Sequence, residues 1–297
     1  MTAPPPAATP APSASVARIT PASPRLVRHL DPRTMARALW ARRGLAWLFV
    51  RREVEGRYRG SLLGIFWSFI HPVVMLGLFT FVGGVVFRAR WPGARTGTLG
   101  EFALFLFTGL VAFNVLSECA TRAVGLVLAV PNFVKRVVFP LEVLPLAVVG
   151  AALFHGALGL VVLLAFTLAA RGSLPATVLL LPLVALPLVF LCLGLSWLLA
   201  SLGVFVRDLA YVVPLALQVL FFATPIIYPA ESVPPPLRAA LALNPLAFVV
   251  EGSRDAIFHG KAPEAAGVAV WTAATAAFMV AGYAWFMKTR RGFADVM

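Results

Sequence analysis

Charge, cysteine and phosphate-binding loops are what this sequence has least of. Only 12% of its 297 residues are charged, about half the ~25% of an ordinary soluble domain. Its 12 Asp and Glu are scattered along the chain, so a paired-carboxylate mechanism has no obvious home. Cys119 and Cys192, its two cysteines, fall in apolar stretches and read as small hydrophobes; a disulfide framework is excluded. No G-x-x-x-x-G-K-S/T loop is present, since the one Gly-Lys pair, Gly260-Lys261, is followed by Ala262. Neither H-E-x-x-H, C-x-x-C nor a His cluster marks a metal site, and no G-x-S-x-G elbow appears. No catalytic, cofactor-binding or metal-binding residue is therefore assigned. Any energy the protein uses has to come from another chain.

What is abundant is apolar surface. The hydrophobic fraction is 60%, with 23 Phe and 7 Trp, and the mean hydropathy is +0.90. That much cannot hide inside one core of this size and needs lipid as its solvent. A soluble enzyme, a secreted scaffold and a disordered regulator are excluded; the expectation is a polytopic membrane protein. The net charge of +13 would suggest nucleic acid, but 11 of the 25 Lys and Arg precede Ser61. There they border the first long apolar run, where anionic membrane lipids attract them. No aromatic-and-basic nucleic-acid module accompanies them.

The pattern predicts an all-α integral membrane fold. Residues 1–30 read as a disordered cytoplasmic tail, because its Pro, Ala, Ser and Thr cannot bury enough surface to order it. Residues 31–60 read as an amphipathic interface helix, with Ala36, Trp40, Trp47, Val50, Val54 and Tyr58 at helical spacing and arginines elsewhere. Gly60 should end it. Residues 61–290 form the transmembrane domain. Six spans of about 20 residues or more are expected over 62–87, 102–125, 143–170, 175–203, 209–229 and 265–287, with Pro182 and Pro187 kinking the fourth. Residues 291–297 are a cytoplasmic C-terminus. With both termini inside, 18 Lys and Arg lie inside and 7 outside, as the positive-inside rule requires. Strand-like alternation is missing, which excludes a β-barrel.

Polar groups within spans are the first functional candidates. Glu118 and Arg122 have the i,i+4 order of an intramembrane ion pair. His71 and His155 are isolated and read as helix–helix hydrogen-bonding groups. Phe66, Trp67 and Phe69 in span one, with Tyr211, Phe221, Phe222 and Tyr228 in span five, are candidates for an aromatic pore wall. Aromatic faces suit sugar C–H groups, although most such residues in spans serve packing or the interfacial belt. The segment from Pro229 to Pro263 is too apolar for a solvated loop. Pro234-Pro-Pro236 and Asn244-Pro245 prevent one spanning helix, so two short re-entrant helices between spans five and six fit it. Asn244, Pro245, Glu251, Arg254 and Asp255 would give it a polar outer edge.

Several segments, in order, resemble the permease subunit of type-two ABC exporters for surface polysaccharides. They are Arg51-Arg-Glu-Val-Glu-Gly-Arg-Tyr-Arg-Gly-Ser-Leu-Leu-Gly-Ile-Phe-Trp-Ser-Phe-Ile-His-Pro72, Asn132-Phe-Val-Lys-Arg-Val-Val-Phe-Pro-Leu-Glu-Val-Leu-Pro145, Leu202-Gly-Val-Phe-Val-Arg-Asp208, Thr224-Pro-Ile-Ile-Tyr-Pro229 and Leu243-Asn-Pro-Leu-Ala-Phe-Val-Val-Glu-Gly-Ser-Arg-Asp255. The resemblance runs from about residue 35 to the C-terminus and has the flavour of O-antigen exporters, with teichoic-acid and capsule exporters as relatives. It implies a homodimer in the bacterial inner membrane, paired with two copies of a separate ATPase that holds ATP and Mg. The implied cargo is lipid-linked polysaccharide. It also implies that Asn132, Phe133, Lys135, Arg136 and Phe139 contact the ATPase, and that Val233 to Phe258 narrows the exit. Two alternatives stay open: an integral-membrane enzyme acting on lipid-linked sugars, and a drug or lipid exporter of the same architecture.

Overall fold

The computed structural model describes residues 31–87, 91, 99–135 and 139–297. The expected tail and Arg136 lie outside the described residues. Regular structure among the described residues is entirely helical. The described chain opens with α1 (Pro32–Ala41), whose N-terminus is capped by the Asp31 carboxylate accepting from the Arg33 amide at 3.0 Å. The Thr34 hydroxyl and that amide hold the Asp31 carboxyl below the usual carboxylate range. At Arg42 the backbone leaves helical geometry, so the single helix expected over 31–60 is two, α1 and α2 (Arg43–Tyr58). Gly60 follows with φ +83°, a conformation that costs an L side chain strain.

Among the described residues, five stretches are long and apolar enough to cross a membrane: Gly64–Val86, Gly100–Val124, Val143–Arg171, Ala176–Phe205 and Ala265–Val296. They contain α3 (Trp67–Phe79), α4 (Leu99–Val124), α6 (Val143–Arg171), α7 (Leu181–Phe205) and α11 (Ala265–Thr289), while α5 (Pro131–Lys135) lies between α4 and α6. The expected fifth span over 209–229 is instead a 15-residue helix, α8 (Leu209–Ala223). It is about 22 Å long, short of a ~30 Å hydrocarbon core. It stops there because Thr224 precedes Pro225 and is driven into extended geometry, φ −109° and ψ 140°. Pro182 likewise sits in the first turn of α7, where no amide donor is needed. Only Pro187 lies inside that helix.

α4 is the hub, packed against α6, α7, α8 and α3; most of its apolar stretch is buried, whereas most of the first span's is exposed. α7 and α11 form the tightest pair. A Cβ on Gly282 would collide with the backbone carbonyl of Gly194, and one on Gly194 with the backbone of Met279 and the ring of Phe278. Backbone therefore meets backbone, the arrangement small residues permit between membrane helices. We expect Gly282→Ala to lower stability by about 1–3 kcal/mol, because rigid backbone has to move apart. A thermal melt in nanodiscs measures it, and an unchanged midpoint would contradict this packing.

After α8 come α9 (Pro235–Ala242) and α10 (Pro245–Arg254), which continues as a wide turn through His259. The C-terminal α12 (Phe293–Val296) packs with α5 and α7. Phe293 is buried there in one cluster with Met35 of α1 and Trp197 of α7. Both ends of the described chain thus meet at the same side of the bundle.

Candidate functional site

At that side the bundle carries a chain of alternating charges. Glu118 and Arg122 of α4 do meet, at 3.3 Å, but this is the loosest contact of the set. Arg57, from α2, donates to the same Glu118 oxygen at 2.6 Å and lies 3.0 Å from His155 Nδ1. That nitrogen is 3.1 Å from both Glu118 oxygens. Arg122 turns its other nitrogen to Glu53 of α2. Helical spacing reveals only the local pair; Arg57, Glu53 and His155 are brought by packing of α6 on α4 and of α2 on α6. Tyr58 accepts from the Ser68 hydroxyl and sets its ring edge-on to His155, fastening α2 to α3 as well. These groups form the mouth of a cavity of about 1510 Å³ between α2, α3, α4 and α6.

A second clasp was invisible to local spacing. Glu142, fully buried, pairs with Arg42 on one side and with Arg290, at 3.0 Å, on the other. The Trp197 indole donates to its backbone carbonyl at 3.1 Å. One carboxylate thereby joins the entry of α6, the α1–α2 break and the C-terminal turn. The only signal for it in the sequence is its isolation: between residues 102 and 207 Glu118 and Glu142 are the sole acids.

The segment from Asn132 to Phe139 lies beside this clasp. Phe133 and Phe139 stack at 4.6 Å, and both rings reach Phe49 of α2. Asn132 is exposed on the first turn of α5. Lys135 ends that helix, and Arg136 is outside the described residues. Of the aromatic set, Phe66, Trp67 and Phe69 in the first span and Tyr211 and Phe222 of α8 are exposed in the single chain. Phe221 is half-buried, edge-on to Phe113 at 5.1 Å. The Tyr228 hydroxyl donates to the Phe222 carbonyl at 2.8 Å.

At the opposite end, α10 is held by side chains. Asn244 Oδ1 accepts from the amides of Leu246 and Ala247 at 2.9 and 3.4 Å, while its Nδ2 donates to Thr224 at 2.9 Å. Pro245 then occupies the first helical position, where its missing N–H costs nothing. Arg254 is 1% exposed. Its Nε donates to the Phe105 carbonyl at 3.1 Å, Nη1 to Pro225 at 2.6 Å and to Glu251 at 2.7 Å, and Nη2 to Ile226 at 2.9 Å. Its guanidinium lies 4.4 Å over Trp91, which stacks on Phe105, which stacks on Phe258. Arg171 closes the stack from the other face, 4.9 Å from the Phe258 ring, pairs with buried Glu101 and donates to the Phe258 carbonyl at 2.6 Å. Arg254 is therefore turned into the protein, whereas Glu251 and Asp255 share the half-open face of α10 with Phe248 and Gly252. Burial pushes the Glu251 carboxyl above its ordinary range, against the pull of Arg254.

No group of three or more His, Cys, Asp or Glu among the described residues could hold a metal ion. The arrangement is one of clamps and faces that bind helices to one another, with a half-open cavity of mixed polar and apolar lining beside them. A profile of the family described as ABC-2 type transporter matches residues 45–258. The chain belongs to that family. An O-antigen export system permease of Myxococcus xanthus is 30% identical over 264 residues, which is 88% of this chain and 98% of that protein. One from Klebsiella pneumoniae is 28% identical over 215 residues, covering 72% and 80%. A polysialic acid transport protein of Escherichia coli is 27% identical over 214 residues, covering 70% and 79%. This ABC-2 chain is thus a multi-pass membrane protein and a transport subunit, not an enzyme, which retires the reading as a membrane-bound enzyme acting on lipid-linked sugars.

Proposed function

We infer that this chain is the membrane subunit of an ATP-driven exporter that moves lipid-linked, O-antigen-like polysaccharide from the cytosol across the bacterial inner membrane. The observation that carries the reading is the alignment with the Myxococcus permease, which extends over nearly all of that protein. In this reading two copies of the chain enclose one pore, with α8 completing a sixth crossing together with the extended chain after it. Both termini are cytoplasmic, in keeping with the bias of Lys and Arg. The exposed aromatics of α3 and α8 face the pore, and Trp40 and Trp47, each 70% exposed, lie at the lipid interface. ATP and Mg belong to two copies of a separate ATPase docked at Asn132 to Phe139. Restored surface polysaccharide in a strain lacking its own export permease, with the cognate ATPase supplied, is the expected result. Failure despite normal membrane insertion would overturn the reading.

The docking segment has a direct test. Reversing Lys135 and Arg136 to Glu should weaken capture of the ATPase by roughly 2–5 kcal/mol if the charges meet acidic partners in a dry contact. Undiminished pull-down and export would assign these cations to topology alone.

The outer helices α9 and α10 supply the constriction at the exit. Single cysteines along Leu246 to Phe258, in a background without Cys119 and Cys192, should react with an impermeant thiol reagent at 248, 251, 252 and 255. Positions 249, 250, 254 and 256, on the buried face, should stay silent. Uniform reaction would mean a solvated loop, and no gate.

A further inference from the structure

The half-open cavity between α2, α3, α4 and α6 is lined by a single chain, and its wall changes chemistry with depth. Along α4 it is lined by Arg122 and Glu118, then Asn114, then Val111, Leu110 and Phe107. At 1.5 Å per residue Asn114 lies about 12 Å from Arg122, and Phe107 about 22 Å. The facing wall on α3 runs the same way, from Ser68 and His71 to Met75 and Phe79. Polar at one end and apolar at the other over about 20 Å, the wall repeats the profile of one bilayer leaflet with its headgroups.

Two further observations say what such a space would take. At the mouth the three acids are engaged: Glu55 by Arg51, Glu53 by Arg122, and Glu118 by Arg57 and Arg122. Arg52 and Arg59, which also line the cavity, have no ion pair among the described residues, so the mouth is cationic. Deeper in, the Asn114 and His71 side chains are exposed to the cavity and have no hydrogen bond among the described residues. Facing hydrocarbon alone, such polar groups would cost several kcal/mol each, so contents that offer hydrogen-bonding groups at this depth are favoured. A volume of about 1510 Å³ also exceeds the ~300–1,000 Å³ typical for small ligands.

We propose that this cavity seats one anionic glycerophospholipid from the leaflet nearest α1 and α2. Its phosphate lies at Arg52 and Arg59, its ester carbonyls accept from the Asn114 amide, and an acyl chain runs along Met75, Phe79 and Phe107. The lipid wedges α2 against the bundle; Trp67 on the exposed face of α3 borders the site, and no residue of α8 does. Nothing in it depends on the identity of the exported cargo.

The test uses the full-length chain in neutral detergent, with phosphatidylglycerol, phosphatidylcholine and a polyprenyl phosphate offered in turn and bound lipid counted by native mass spectrometry. One phosphatidylglycerol per chain should survive activation that strips phosphatidylcholine. Arg52→Gln with Arg59→Gln and Asn114→Leu should lower its occupancy at least tenfold, and Leu110→Trp, which fills the deep end, should do the same. Arg52→Lys with Arg59→Lys should keep it, and Tyr211→Ala, outside the cavity, should leave it unchanged. Equal retention of the two phospholipids, or full occupancy in the triple variant, would overturn the proposal. So would retention of the polyprenyl phosphate alone, which would give the cavity to a carrier rather than to a bulk lipid.

Discussion

Replacing Arg254 by Met should cost about 3–5 kcal/mol of stability, the range for removing one partner of a buried ionic cluster. Its fork serves three backbone carbonyls, those of Phe105, Pro225 and Ile226, from three different nitrogens. Each buried acceptor that loses its donor contributes about 1–3 kcal/mol, not additively. Lys should recover only part of the loss, because one ammonium cannot reach acceptors spread around a planar fork. Glu251→Gln should cost much less, since that carboxylate is 38% exposed and keeps an acceptor. Melting of the protein in nanodiscs checks this, with a fall on the order of 10 °C for Arg254→Met. A midpoint within error of the parent would mean that the clamp holds nothing. The stack of Trp91, Phe105 and Phe258 between Arg254 and Arg171 should loosen together, seen as faster hydrogen exchange over 254–259.

The second large effect is expected at Glu142. Glu142→Leu leaves Arg42 and Arg290 facing each other with no anion between them, each 38% exposed. Because both cations can turn toward water, the cost should fall below the buried-pair range, at about 2–3 kcal/mol. Its signature is spatial. Hydrogen exchange should rise in α1 and in residues 288–297, which are 100 or more positions apart in sequence from either side of the clasp, while α4 and α7 stay protected. Glu142→Gln should give an intermediate result, keeping shape and one acceptor but no charge. Equal exchange in all three proteins would rule the clasp out as the tie between the two ends of the chain.

Both residues illustrate where reading along the chain stops. Arg254 stands on a short helix that looked like a polar edge, because Glu251, Arg254 and Asp255 fall together in sequence. Which of them faces inward depends on a carbonyl cluster contributed by α4 and by the turn after α8. Glu118 and Arg122 are legible as a pair because a helix brings i and i+4 together whatever surrounds it. Arg57, Glu53 and His155 enter the same network from 61, 69 and 37 residues away, a distance no local period encodes. Local patterns also overstated some elements: the expected fifth span counted apolar residues beyond Thr224 that the Thr-Pro step takes out of the helix.

Hydropathy and the spacing of apolar runs were enough to determine an all-helical membrane protein with several helices long and apolar enough to cross a membrane. They did so because lipid forces every buried backbone group into a helix. The break at Asn244-Pro245 was equally local, since a proline and a capping side chain act on their own neighbours. Only the tertiary structure decided that Arg254 is a clamp, that Glu142 ties the two ends of the described chain, and that four helices line a graded, half-open cavity. Those outcomes rest on side chains from distant segments meeting where an unpaired charge or amide would be too costly to bury, and that cost appears only once the helices are packed.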